Sequence, residues 1–106
     1  MAEEPGQPGE NEFRRQLEEE LRRLQVSDLL VQTLYTVSSL GFHRLTPEAR
    51  DLEQARLAIE AVGALVRVLE GTVPAETLRD FNQVRANMQL AYASAAEEKE
   101  TPADNG

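Results

Sequence analysis

The sequence predicts an all-α protein, a small helical bundle or helical hairpin of three to four helices completed by dimerisation. Three observations predict it. Leu52, Ala55, Ile59, Val62, Val66 and Leu69 recur at alternating intervals of three and four, the spacing that lines side chains along one stripe of a helix for packing on another. No segment alternates apolar and polar residues between turn signals as a half-buried strand does. Gly41, Thr46-Pro47 and Gly71 punctuate the chain where helices would stop and start.

The first predicted helix runs from about Glu10 to Gln25, with Phe13, Leu17, Leu21 and Leu24 along one side. Glu18 precedes Arg22 and Glu19 precedes Arg23 by four positions, the favourable order for exposed ion pairs, each worth about 0.2–0.5 kcal/mol. The second, from about Ser27 to Leu40, presents Val26, Leu30, Thr33, Leu34, Val37 and Leu40 on a broad face, with Gly41 as the natural stop. At about 100° per residue this face lies nearly opposite the Phe13–Leu24 stripe. Either the helix breaks near the cap formers Ser27 and Asp28, or one long helix shows apolar residues to two neighbours. Val31 and Tyr35 continue the first stripe and favour the continuous helix. Thr46 as N-cap, Pro47 in the first turn and Glu48 behind it predict the start of the third helix, which ends at Gly71. Thr72, Val73, Pro74 and Glu76 open a last helix to about Ala96, where Phe81, Val84, Met88, Ala91 and Ala95 again step by three and four, with Leu78 and Tyr92 beside them.

A chain of 106 residues with 41% hydrophobic content is one small domain with a small core, a size at which association with a second copy is a common remedy. The net charge of -8 is concentrated at the ends: residues 1–10 and 97–106 carry -3 each, leaving -2 between them. The predicted organisation is therefore an acidic disordered tail over 1–9, a single helical domain over 10–96 and a second acidic disordered tail over 97–106. Zero cysteines remove disulfides and thiolate chemistry. With no signal-like start and no apolar run long enough to cross a bilayer, the expected location is the cytoplasm.

No constellation of residues supplies nucleophile, base and stabiliser together, so the expectation is a non-enzyme with no catalytic, cofactor-binding or metal-ligating residue. His43, the sole histidine, sits in a connection with no second ligand to share a metal. Asp51 with Glu53 and Glu97 with Glu98 have the spacing of solvated helix faces. The six glycines form no phosphate-cradling loop. Arg44, Arg50, Arg56, Arg67, Arg79 and Arg85 are interspersed with Asp51, Glu53, Glu60, Glu70 and Asp80, a mixture that disfavours nucleic acid. Tyr35, Phe81, Met88 and Tyr92 could line a pocket between helices, which keeps a small-molecule- or nucleic-acid-binding regulator as the alternative reading. Gly63, inside the third helix, costs about 1 kcal/mol relative to alanine; close approach of a neighbouring group and a tolerated defect both account for it.

The chain resembles a short bacterial all-helical family, the domain of unknown function 1844. The resemblance covers roughly Ser27 to Ala95. It rests on Leu29-Leu30-Val31-Gln32-Thr33-Leu34 leading to Leu40-Gly41, on Asp51-Leu52-Glu53-Gln54-Ala55-Arg56-Leu57-Ala58-Ile59, on Glu70-Gly71-Thr72 and on Met88-Gln89-Leu90-Ala91-Tyr92. The chain departs from the family pattern between Phe42 and Arg50, where members carry a proline- and glycine-bearing acidic loop, and at Pro74, where a capping threonine is expected. The resemblance implies a helical fold and a bacterial cytoplasmic origin and supplies no catalytic residue.

The third helix carries a second apolar face. Leu57, Ala61, Ala64, Leu65 and Val68 lie roughly opposite the Leu52, Ala55, Ile59, Val62, Val66 and Leu69 seam, with Glu53, Arg56, Glu60 and Arg67 between. A helix that is apolar on two faces is buried on two faces. The seam is the candidate core and the second face the candidate association surface, for a second copy or another protein.

Overall fold

The computed structural model describes residues 8–100. Its elements are α1 (Pro8–Arg23), α2 (Val26–His43), a single 3-10 turn (Pro47–Ala49), α3 (Leu52–Leu69) and α4 (Ala75–Glu100), and the described residues contain no strand. The fold is all-α. The helical segment is longer at both ends than the predicted 10–96: Pro8 and Gly9 belong to α1, and Glu97 to Glu100 to α4. The remainder of the two predicted tails lies outside the described residues.

The core is built by α2, α3 and α4. The seam on α3 turns inward: Ala55, Ile59, Val62, Val66 and Leu69 are buried, and Leu52 packs against them half-buried. Ala58 of α3, Leu34 from α2, Leu45 from the connection after it and Leu78, Phe81, Met88 and Ala95 from α4 complete the cluster. The stepping by three and four in α4 thus marks its inner face, as it does in α3. Tyr35 packs edge-on against Phe81, ring centroids 5.0 Å apart.

Two glycines owe their place to this packing. A Cβ on Gly41 would lie 2.7 Å from both Ala58 Cβ and Met88 Sδ, so Gly41 is where all three helices meet. It does not stop α2, which continues to His43. Gly63 admits the side chain of Arg85, whose Nε donates to the carbonyl oxygen of Ile59 at 3.1 Å; a Cβ there would lie 2.8 Å from that nitrogen. Close approach, rather than a tolerated defect, explains the glycine inside α3.

The helix boundaries correct three expectations. The chain between α1 and α2 is broken, and the break falls at Leu24 and Gln25 rather than at Ser27 and Asp28. Gln25 is extended (φ -109, ψ 145), and its carbonyl accepts from the amides of Asp28 and Leu29. Thr46 does not cap a helix with its side chain; its hydroxyl donates backward to the carbonyl of His43 at 2.7 Å. Pro47 starts only the 3-10 turn, because the chain must double back. Asp51 N donates to Arg44 O at 2.8 Å, and the Arg50 guanidinium reaches Leu45 O and Glu98. These bonds hold Arg50 and Asp51 extended, so α3 starts at Leu52. Asp51 is its N-cap, accepting from the Gln54 amide. α3 ends at Leu69, just before the predicted stop at Gly71: Glu70 leaves the helical conformation (φ -58, ψ 131), and Gly71, at φ 81, completes the turn in which the Thr72 amide donates to the Leu69 carbonyl, a positive φ open to glycine.

α1 stands apart. Its described side chains are all exposed, and the principal contacts between elements join α2, α3 and α4 only. The molecule measures 73 × 33 × 14 Å, with a radius of gyration of 20.7 Å, against about 13 Å for a compact domain of this length. The short dimension is the depth of two helix layers; the long one arises because α1 projects beyond the body.

Candidate functional site

The face of the α2–α3 hairpin turned away from α4 is uncovered. Both helices place apolar side chains there because each has two apolar sides, and α4 covers only one. On α2, Leu34 and Tyr35 face the core helices, Val37 packs partly against the core at the edge of that face, and Leu40 lies beyond it, 51% exposed. On α3, Leu57 and Ala61 stand nearly opposite Ile59 and Gly63 at about 100° per residue. Between the two helices these residues line a groove of about 250 Å³, whose walls are Val37, Leu40, Gly41 and Arg44 from α2 and Gln54, Leu57, Ala58 and Ala61 from α3. Val26 and Leu29 continue the exposed apolar surface along α2, and Val68 continues it along α3.

The five residues of the predicted association face divide. Leu57 is 58% and Val68 65% exposed, and Ala64 is exposed as well. Ala61 is half-buried in the groove wall. Leu65 departs from the set, because it packs partly against the core. The α2 half of the surface, Val37 and Leu40 with Val26 and Leu29, was not part of that face. Its signal lay in the unusual breadth of the apolar face of α2, too wide for one neighbour.

The electrostatics are mild. Arg44 borders the groove, and its guanidinium makes no hydrogen bond or ion pair among the described residues, whereas Arg56 is occupied by Glu60 at 3.3 Å. Arg50 and Arg85 are likewise engaged within the chain. The arginines are thus dispersed, three of the six in internal contacts. No group of three or more His, Cys, Asp or Glu side chains among the described residues could hold a metal ion. His43 is exposed in the last turn of α2. Asp51 caps α3 and Glu98 pairs with Arg50, so these two carboxylates have structural partners.

Phe81 and Met88 are buried in the core, Met88 filling the space left by Gly41. They and Tyr35 and Tyr92 do not line the groove. A second depression, along α1, is lined by Phe13, Gln16, Leu17, Glu19, Glu20 and Arg23. All six belong to one helix, so it has no opposite wall and cannot enclose a ligand. No helix of the described residues is long and apolar enough to cross a membrane. No family model, curated protein or solved structure matches the chain.

Proposed function

We propose that this is a non-enzymatic helical protein that acts by helix–helix association, most simply as a homodimer, through the uncovered face of α2 and α3. The single observation behind the reading is that face itself: Val26, Leu29, Leu40, Leu57 and Val68, each at least half exposed, on two adjacent helices. Scattered exposed leucines need no explanation, but a contiguous apolar surface on a small soluble domain marks a contact site. A bacterial origin in the family that the chain resembles, and a cytoplasmic location, go with this reading. The groove, at about 250 Å³, lies below the 300–1,000 Å³ of ordinary small-ligand pockets, which favours a helix over a metabolite as its occupant.

The test is the mass of the particle by sedimentation equilibrium over concentrations up to tens of micromolar. The expected result is a dimer that Leu57→Asp with Val68→Asp converts to a monomer of unchanged helicity. Leu65 is left intact because it also supports the core. A wild-type chain that stays monomeric throughout, or a variant that loses its helix signal, contradicts the reading.

A further inference from the structure

Among the described residues, two apolar surfaces lie uncovered. One is the groove between α2 and α3. The other is the stripe of Phe13, Leu17 and Leu21 on α1, continued by Leu24 in the break that follows it; the four are 66%, 49%, 60% and 50% exposed. We propose, resting on the association reading above, that α1 of one copy lies in the α2–α3 groove of a second copy, and that the exchange is reciprocal.

A helix as short as α1, 16 residues, is marginal alone in water and gains its stability from packing an apolar face. Among the described residues no fourth helix covers the α2–α3 pair. The connection between α1 and α2 keeps most of the α1 stripe out of its own groove. Only Leu24 and Gln25 separate the helices. With equal rise per residue, an α1 folded back about Gln25 would set Leu21 beside Leu29, Leu17 beside Thr33 and Phe13 beside Val37. The groove is bounded on α2 by Val37 to Arg44, so three of the four stripe residues would miss it. A second copy has no such restraint.

Area and charge favour the same occupant. A stable interface buries about 1,200–2,000 Å², more than one four-residue stripe supplies. Reciprocal exchange makes the contact twice and doubles the buried area without enlarging either surface. Glu20 borders the stripe on α1, and its carboxylate has no ion-pair partner among the described residues; Arg44 borders the groove in the same condition. Docking brings opposite charges to one rim.

The full chain contains no cysteine, so introduced thiols are unique handles. Leu17→Cys and Ala61→Cys variants, mixed in equal amounts and treated with a short bismaleimide, should give a cross-linked dimer containing one of each, in excess over either homodimer. Leu17→Glu with Leu21→Glu should also abolish the sedimenting dimer. If a chain carrying both cysteine substitutions closes on itself as a monomer, α1 folds onto its own body and the exchange is refuted. If the dimer survives the α1 substitutions but not Leu57→Asp with Val68→Asp, the hairpin faces pair directly; the exchange fails and the association stands. A wild-type chain that is monomeric throughout removes both.

Discussion

α1 and α3 have similar apolar periodicity and opposite fates. In α3 the seam side chains Ala55, Ile59, Val62, Val66 and Leu69 are at most 7% exposed; in α1 Phe13, Leu17 and Leu21 are all about half exposed or more. Spacing by three and four says that a face is made for another helix, but not which helix, nor in which chain. The deciding difference is connection. α3 lies between α2 and α4 and is reached by both through short turns, whereas α1 leaves the body through a break at Gln25 that directs it outward.

This comparison can be broken or sharpened by substitution. The largest effect is expected in the core: Leu34→Ala removes a side chain that is fully buried and should cost about 2–5 kcal/mol, measured by urea unfolding. Gly41→Ala is next. The new methyl group would meet Ala58 and Met88 at 2.7 Å, and since Ala58 has no side-chain torsion with which to yield, the helices must separate. The expected cost is about 1–3 kcal/mol, more than the helix propensity gained, and a rise in thermal midpoint would contradict the packing role. The smallest effect belongs to α1. Leu21→Ala, in a solution dilute enough to hold the chain as a monomer, should change stability by less than about 0.5 kcal/mol. A core-sized loss there would mean that α1 packs within its own chain, and would erase the contrast with α3.

The helices were legible in the sequence because their inner faces are periodic: Ile59, Val62 and Val66 in α3, Phe81, Val84 and Met88 in α4. Gly41 was not, because its reason is long-range. A glycine near a helix end is locally indistinguishable from a C-cap, and only the meeting with Ala58 and Met88 makes it a contact point. Thr46 and Pro47 failed for a related reason. They are sound local start signals, but hydrogen bonds from Asp51 and Arg50 back to the end of α2 outweigh one more turn of α-helix. On the candidate site, the α3 half, Leu57 and Val68, followed from the second apolar face. The α2 half was hidden because Leu34, Val37 and Leu40 read as one broad face, whereas the fold buries Leu34, half-buries Val37 against the core and leaves Leu40 exposed.

The contact of Arg85 with Gly63 bears on how the body can move. A residue without a side chain leaves the backbone of α3 open, and the guanidinium takes hold of the Ile59 carbonyl through that opening. The fit works like a key in a slot. Sliding α4 by one turn, about 5.4 Å, would carry the arginine away from the only glycine in α3 and bury its charge against side chains. α3 and α4 are therefore held in register by a main-chain contact.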